Sequence, residues 1–284
     1  MQSGVRRARL GRMYTKSTPG EAADPALVDR LLGLGNLFTR GDWRDYLQMG
    51  LSPGHVPELI LMACDPGLND ADEDDPQAYA PLHAWRALGQ LAAPEAAAPL
   101  VNLLVHLPDD DDFANEELPE VLGMIGAAAV EPLAAVLANA SHEERSRTSA
   151  VNALEEIGKR HPELRDRCVA LLMRQLEEWP AQSEWLNGVL IDYLVELHAT
   201  EAASLMQVVF EAGRADTMIR GDWEDVQVDL GLLEERLTPP RPFPWMARLQ
   251  ARRTPPPPRE LSAGEKARKQ RKAQKQAGKR HRRK

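Results

Sequence analysis

The chain has 284 residues, of which 43% are hydrophobic, 27% are charged and only 5% are aromatic. This length supports one elongated domain or two compact ones, and the composition excludes collagens, coiled coils and disulfide scaffolds. The net charge of −8 hides a segregation, because residues 17–240 carry 41 acids against 14 Lys and Arg, whereas residues 241–284 carry 16 bases against two acids. An acidic body beside a basic end is typical of proteins with interaction tails.

Residues 1–20 form a basic N-terminal extension that we expect to be disordered. Its arginines precede no apolar segment, which excludes a secretory signal; either Met1 or Met13 is the true start, and an organellar transit peptide is a weaker alternative. The two cysteines, Cys64 and Cys168, cannot build a disulfide framework or a CxxC zinc site. No apolar run approaches the roughly 18–20 residues that span a bilayer. These features predict a cytoplasmic protein without a membrane partner.

Residues 21–76 are predicted to form N-terminal capping helices and an acidic loop. Asp24 is a candidate N-cap for a helix in DPALVDRLLGLG, and HVPELILMAC is a second candidate helix. The segment GDWRDYLQMGL (41–51) shares Gly-Asp-Trp-x-Asp with GDWEDVQVDLGL (221–232). The pair is interpreted either as two recognition elements or, preferably, as two capping helices that begin at Asp and cover core with Trp.

The acidic loop, NDADEDDPQ (69–77), has aspartates at alternate positions like a calcium loop. The calcium template needs Gly at its sixth position and Glu at its twelfth, where Pro81 falls instead. A solvated loop is therefore favoured over a calcium site, as it is for Asp109 to Asp112.

Internal repeats dominate the middle of the chain. ALGQLAAPEAAAPLVNLL (87–104) is echoed by VLGMIGAAAVEPLAAVL (121–137), ALEEIGKRHPELRDRCVALL (153–172) and YLVELHATEAASLM (193–206). Each unit is predicted to be a helix, a tight turn and a second helix, because apolar residues recur at three- and four-residue spacing, as in Leu82, Trp85, Leu88 and Leu91. Neighbouring units must stack to bury these stripes.

Glycine and proline mark the predicted helix ends. Gly126 and Gly158 are expected to end their first helices in a left-handed conformation. Pro94 and Pro162 are expected to begin second helices, where a missing amide donor costs little. Pro99 and Pro132 are placed within the opening turns of their helices.

These repeats resemble the HEAT-like repeats of the phycobilisome-lyase type, within the armadillo-like superhelices. The resemblance covers about residues 78–212, and it implies an all-α fold: an α-solenoid of HEAT-like helix pairs over 77–237, ending in a cap. Proteins of this class serve as scaffolds, as adaptors and occasionally as enzymes. The chain is also similar to bacterial HEAT-like proteins of uncharacterised function in which GDWEDVQVDLGL is a family feature; the cysteine-rich zinc motif that ends some of them is absent here.

Enzymatic motifs are missing from the sequence. The deoxyhypusine hydroxylases, which are HEAT-like enzymes, hold two irons with several His-Glu pairs, whereas this chain has only His142-Glu143. HExxH, GxSxG, GxxxxGK[ST] and GxGxxG patterns are also absent. The sequence therefore predicts no catalytic residue, no metal ligand and no cofactor, and it leaves open a metal-dependent or bilin-lyase-like enzyme as the alternative.

One group of side chains is a candidate protein-binding surface. The acids Glu116, Glu117 and Glu120 precede an apolar helix, and the repeat register places them close to His83 and Trp85. Such a patch would bind a cationic peptide or a metal; the alternative is that the acids complement the helix dipole, contributing on the order of 0.3–1 kcal/mol each.

Residues 238–284 are predicted to be a Pro-rich linker and a disordered basic tail. Eleven bases after Glu265 are candidate nucleic-acid contacts: Lys266, Arg268, Lys269, Arg271, Lys272, Lys275, Lys279, Arg280, Arg282, Arg283 and Lys284. Phosphate backbones are the favoured partner, through RNA, ribosome or DNA. Two alternatives stay open, namely a tail that folds back on the acidic body and a solubilising tail without a fixed partner.

Together these features predict a non-catalytic HEAT-like scaffold or adaptor. Its acidic repeat surface would bind a protein or basic peptide, while the tail tethers it to nucleic acid or the ribosome. A second alternative is a nucleic-acid-binding protein whose repeats are only structural.

Overall fold

The computed structural model describes residues 24–36, 43–72, 74–107 and 112–239, which form thirteen α-helices and no strand. In chain order the helices are α1 Pro25–Asp29, α2 Val56–Ala63, α3 Pro66–Asn69, α4 Ala80–Gln90, α5 Ala97–His106, α6 Asp112–Ile125, α7 Ala127–Ala138, α8 Glu144–Arg160, α9 Arg165–Leu176, α10 Glu184–Glu196, α11 Ala203–Glu211, α12 Thr217–Arg220 and α13 Trp223–Asp229. The basic tail and the extension 1–20 lie outside the described residues, and the predicted domain boundaries stay predictions.

Four helix pairs stack in register: α4 with α5, α6 with α7, α8 with α9, and α10 with α11. The first helices of successive pairs pack against one another, with α2 before α4 and α12 after α10. The second helices α5, α7 and α9 pack side by side in the same order. This two-layer stack confirms the predicted all-α solenoid of helix pairs.

The leucine stripes of the four units lie in one continuous core. Leu88, Leu122, Leu154 and Leu194 occupy equivalent places in the first helices and are fully buried. Burial of such a side chain contributes about 1.5–3 kcal/mol. Because each first helix is covered by the units on both sides, removing one unit would expose the stripes of its neighbours.

The turn within a unit closes through a left-handed residue in three of the four units. In the second unit this residue is Gly126, with φ of 76°. In the first and fourth units it is Ala92 (φ 46°) and His198 (φ 50°), which are rare in this conformation. At those two turns, amide-to-carbonyl bonds Ala93 to Leu88 (3.1 Å) and Ala199 to Leu194 (2.9 Å) close the helix end, as in a Schellman motif.

The third unit departs from this pattern, and the prediction that Gly158 ends its first helix is wrong. Helix α8 continues to Arg160 and stops before Pro162, because a residue that precedes proline disfavours helical conformation. Gly158 lies inside the helix, where a Cβ atom would come 2.8 Å from Leu197 Cδ2. The glycine is therefore explained by close packing of α8 against the next unit.

The prolines mark most of the predicted second helices. Short 3₁₀ turns, Pro94–Ala96 and Pro162–Leu164, lead directly into α5 and α9, which confirms those two starts. Pro132 is different, since it is the sixth residue of α7 and lies inside that helix. Its placement in an opening turn was therefore wrong.

The structure of the capping segments agrees only in part with the prediction from the sequence. Asp24 accepts a hydrogen bond from the Ala26 amide and begins α1, and HVPELILMAC forms α2, as predicted. Asp222 caps α13 through the amides of Glu224 and Asp225. In contrast, residues 46–50 form a turn that a bond from the Leu51 amide to the Tyr46 carbonyl closes, so the predicted helix there is wrong.

Candidate interaction surface

His83 does not lie on a surface. It is fully buried in α4, where its Nδ1 lies 2.7 Å from the Tyr46 hydroxyl and its Nε2 lies 3.0 Å from the Gly35 carbonyl oxygen. Because the carbonyl can only accept, Nε2 carries the proton and the tyrosine hydroxyl donates to Nδ1. Burial lowers the pKa of His83 to about 4 and raises that of Tyr46 to about 12. The histidine therefore fastens the N-terminal segment to the first unit.

Trp85 is likewise part of the core. Its ring is fully buried, and its indole Nε1 donates to the Ala63 carbonyl at 3.1 Å. This bond satisfies the only polar atom of the side chain and ties α4 to the end of α2. The repeat register predicts which residues are neighbours along the stack but not which face of a helix is covered, so it could not show that His83 and Trp85 are buried.

The three predicted acids meet different environments along α6. Glu117 receives two bonds from Arg86, whose guanidinium lies 5.0 Å from the Trp43 ring centroid. Glu120 pairs with Arg160 at 2.8 Å, whereas Glu116 is exposed. The five predicted residues thus do not form one open patch, although register did bring Glu117 beside the α4 helix.

Glu120 belongs to a set of ion pairs that crosses the first helices near their C-terminal ends. We call this set the first-helix ladder. Arg160 bridges α8 to α6, Lys159 reaches Glu196 on α10 at 3.3 Å, and Arg220 joins α12 to Glu196 at 2.5 Å. The remaining carboxylates of the ladder are Glu155, Glu156, Asp192 and Asp229. Each of the six carboxylates of the ladder thus pairs with at least one of its three cations.

The loops that connect one unit to the next use arginine differently. We call loops 139–143, 177–183 and 212–216, with the first turns of the helices that follow them, the inter-unit edge. Arg147 donates to the Leu137 carbonyl at 2.9 Å, and Arg214 donates to the Gln182 carbonyl at 2.5 Å. Arg145 donates to the Leu107 carbonyl at 2.9 Å. The Leu137 and Leu107 carbonyls lie at the C-terminal ends of α7 and α5, where the helix dipole is negative, whereas the Gln182 carbonyl lies in the loop before α10.

A single buried amide holds two of these loops together. Asn187, in α10, is fully buried and donates from Nδ2 to the carbonyls of Trp179 (3.2 Å) and Arg214 (2.8 Å). Its Oδ1 accepts from Gln182 at 3.0 Å, and Gln182 in turn accepts from Arg147. The loop 177–183 is therefore held on its buried side by hydrogen bonds to Asn187, while its charged side chains, Glu177 and Glu178, are exposed.

The carboxylates of this edge are less compensated than those of the ladder. Glu143, Glu144, Glu177, Glu178 and Glu184 are exposed. The structure gives Glu184 an ion pair with Arg214 at 3.3 Å, while the ion pairs of the described residues include none to Glu177 or Glu178. Nearby, the indole of Trp185 is 49% exposed. The edge thus presents negative charge beside an open aromatic face.

Sequence reasoning missed Arg147, Asn187 and Trp185. Two signals were available: arginines in the first turn of a predicted helix, and the absence of Lys and Arg between Gln175 and Gly213. The hydrogen bonds of Asn187 had no signal, because they join residues of three separate segments.

The remaining predictions concern metals, membranes and the tail. Among the described residues, no group of three or more His, Cys, Asp and Glu is arranged to hold a metal ion. In the acidic loop, Asp72 and Asp75 accept bonds from nearby backbone amides. No helix within the described segments is long and apolar enough to span a bilayer. The tail residues Lys266 to Lys284 and Asp109 to Asp111 lie outside the described part of the chain.

Comparison with known proteins identifies the repeats. A family model described as the PBS lyase HEAT-like repeat matches residues 82–106, which span most of α4 and all of α5. No curated protein and no solved structure matches the chain. The match supports the assignment of the helix pairs as HEAT-like units, and the other three pairs repeat the architecture of the matched one.

Proposed function

Given that the chain is a HEAT-like repeat protein whose helix pairs form a scaffold, we propose that it is a non-catalytic adaptor that binds a basic protein through the acidic surface of its repeats. HEAT-like repeats by themselves indicate a scaffold and leave its partner open. The identity of the partner is therefore argued from charge.

The proposal depends on the observation that most cations of the described residues bond to acceptors of the same chain. Thirteen Lys and Arg lie in the described residues, and ten of them bond to a carboxylate, a side-chain amide or a backbone carbonyl of the same chain. Residues 17–240 hold 41 acids against 14 Lys and Arg, so most of these acids have no cation within the same range to neutralise them. A surface with an excess of one charge attracts partners of the other sign.

The tail adds a second element to the proposal. Residues 266–284 contain eleven bases and no acid. Phosphates that bind such bases release counterions, which gives a salt-sensitive affinity without sequence readout. We propose that the tail tethers the adaptor to RNA, ribosome or DNA in the cytoplasm.

The two elements are tested with one pair of proteins. In a tail variant, the eleven bases are replaced by glutamine in the full chain. Poly-L-arginine should bind both proteins, with an affinity that falls as salt rises, because the repeats hold the acidic surface. A labelled single-stranded RNA should bind the unsubstituted chain and lose most of its affinity in the variant.

Two results would contradict the proposal. Equal RNA affinity of the two proteins would exclude the tether, and absence of poly-L-arginine binding at low salt would exclude the acidic adaptor surface. Stoichiometric iron or zinc in the purified protein would instead favour the enzyme alternative.

A further inference from the structure

The fourth repeat unit has the most one-sided charge of the stack. From Gln175 to Gly213 the sequence contains no Lys or Arg, while it contains seven acids: Glu177, Glu178, Glu184, Asp192, Glu196, Glu201 and Glu211. Cations of the neighbouring units compensate four of them, as Lys159 and Arg220 do for Glu196. Arg165 pairs with Glu201 at 2.8 Å, and Arg214 pairs with Glu184. The negative charges of this segment are therefore neutralised only by cations that lie outside it.

Glu177 and Glu178 have no ion pair with a cation of a neighbouring unit among the described residues. They begin the loop between α9 and α10, and both side chains are exposed. Arg174, one turn earlier in α9, lies at the spacing that allows a helical ion pair, but no ion pair within 4.0 Å joins it to either glutamate among the described residues. These two carboxylates thus carry adjacent charges without an ionic partner in the described chain.

An exposed tryptophan lies at the same loop. Trp185 is in the first turn of α10, two residues before Asn187, which bonds to the Trp179 carbonyl in the loop. Because Asn187 also fixes the Arg214 carbonyl, the backbone around Trp185 is held from two sides. An indole that is 49% exposed on a fixed backbone loses little conformational freedom when a ligand stacks on it.

The chain already uses this combination of groups internally. Arg86 lies over the Trp43 ring at 5.0 Å and donates from Nε to Glu117 at 2.7 Å. Arginine suits this arrangement better than lysine, because its planar guanidinium can stack on a ring and bond to carboxylates at once. Trp185 and its neighbouring glutamates offer the same chemistry, and no cation of the described residues lies over the Trp185 ring.

We propose that Trp185, Glu177, Glu178 and Glu184 form a docking site for an arginine-bearing segment of a partner protein. One guanidinium stacks on the Trp185 ring, and further arginines of the segment bond to the glutamates. The site rests on the proposed adaptor function and gives that function a place and a side-chain preference.

The aromatic ring decides between this place and the other exposed apolar side chains. Val208, Leu232 and Leu237 are also exposed, and Glu234 and Glu235 beside the two leucines likewise have no ion pair among the described residues. An aliphatic side chain, however, offers no ring on which a guanidinium can stack. Trp185 combines an exposed ring with Glu177 and Glu178, which have no ion pair among the described residues.

Calorimetric titration of the full chain with unlabelled peptides tests the site. One probe is a peptide with three arginines separated by glycine and serine, and the second replaces each arginine by lysine. At about 50 mM salt, Glu177→Gln with Glu178→Gln should weaken both peptides about tenfold, because two unscreened charges are removed. Trp185→Leu should weaken the arginine peptide about fivefold and the lysine peptide less than about twofold, and Trp185→Phe should restore most of the loss.

The matched control is Glu95→Gln with Glu163→Gln, which removes two exposed carboxylates at the starts of second helices. It should leave both affinities within about twofold of the unsubstituted chain, and thermal unfolding should show that all variants fold. If Glu177→Gln with Glu178→Gln weakens binding no more than the control does, the docking site is wrong, while the adaptor function stands elsewhere on the acidic surface. Equal losses of arginine and lysine peptides in Trp185→Leu would refute stacking. Absence of binding to the unsubstituted chain would refute both proposals.

Discussion

The first-helix ladder and the inter-unit edge use the same side chain for opposite purposes. In the ladder, Arg160 and Arg220 bond to carboxylates of neighbouring helices, and both partners are partly exposed. At the inter-unit edge, Arg147 is only 9% exposed and bonds to the Leu137 carbonyl and to Gln182. The ladder joins units through ion pairs, whereas the edge joins them mainly through hydrogen bonds to neutral acceptors, with Arg214–Glu184 as its ion pair.

The difference has a consequence for both stability and binding. Exposed ion pairs contribute only about 0–1 kcal/mol each, whereas an unpaired buried polar group costs about 1–3 kcal/mol. Disruption of the edge should therefore destabilise the stack more than disruption of the ladder. Because the arginines of the edge bond to carbonyls, they also leave carboxylates such as Glu177 uncompensated.

Substitution of Asn187 should cause the largest loss of stability. In Asn187→Ala the carbonyls of Trp179 and Arg214 lose their donor and Gln182 loses its acceptor, so the free energy of unfolding should fall by about 3 kcal/mol. Urea denaturation measures this change. Asn102→Ala is the control, since Asn102 is exposed in α5 and should change stability by less than about 0.5 kcal/mol.

A loss below about 1 kcal/mol in Asn187→Ala would mean that water replaces the amide and that the loops are not fixed by it. The expectation that the inter-unit edge contributes more stability than the ladder would then be wrong for Asn187, the most buried polar residue of the edge.

The fold was predictable because its determinants are local and repeated. Leu88, Leu122 and Leu154 mark one stripe, and Pro94 and Pro162 mark the second helices. The errors arose where one unit differs from the others. Gly158 resembles Gly126 in sequence, yet α8 continues past it to Arg160, two residues before Pro162. Ala92 and His198 take the left-handed turn position although neither residue type signals it.

The site was predictable only as a charge imbalance. The repeat register placed Glu117 near α4, but it did not show that Arg86 already forms an ion pair with that glutamate or that Trp85 is fully buried. The edge depends on Arg147 and Asn187 reaching carbonyls of other segments, and no sequence pattern specifies a backbone acceptor 10 or 27 residues away. Long-range hydrogen bonds to the backbone therefore needed the structure.

Substitution of one arginine from each region separates the two kinds of contact. Arg147→Met should lower the free energy of unfolding by about 2–3 kcal/mol, because the Leu137 carbonyl and Gln182 lose a buried donor. Arg160→Met, which removes pairs to Glu120 and Glu156, should lower it by less than about 1 kcal/mol. Equal losses in the two variants would show that the acceptor type does not matter.

His83 extends the comparison to pH, since it is a neutral buried group at the junction with the N-terminal segment. Burial lowers its pKa to about 4 from 6.5, so its contribution is complete above pH 6.5 and is lost as pH falls towards 4. Between pH 7 and 5 this loss amounts to about 2 kcal/mol, at 1.36 kcal/mol per pH unit below 6.5. Urea denaturation at both pH values should show a drop that is larger by this amount in the unsubstituted chain than in His83→Gln. The same drop in both proteins would assign it to other groups.

Salt gives the smallest effect and separates the two regions most directly. The pairs of Arg160 are partly exposed, so a rise from about 0.05 to 0.5 M salt should reduce the Arg160→Met loss from below about 1 kcal/mol towards zero. The Arg147→Met loss should change by less than about 0.3 kcal/mol, because its acceptors are an uncharged carbonyl and an amide. Sodium chloride suits the measurement, since sulfate would also strengthen apolar burial. If salt reduces the Arg147→Met loss as strongly as the Arg160→Met loss, Coulombic attraction to nearby Glu144 stabilises the edge, and its carboxylates are not uncompensated.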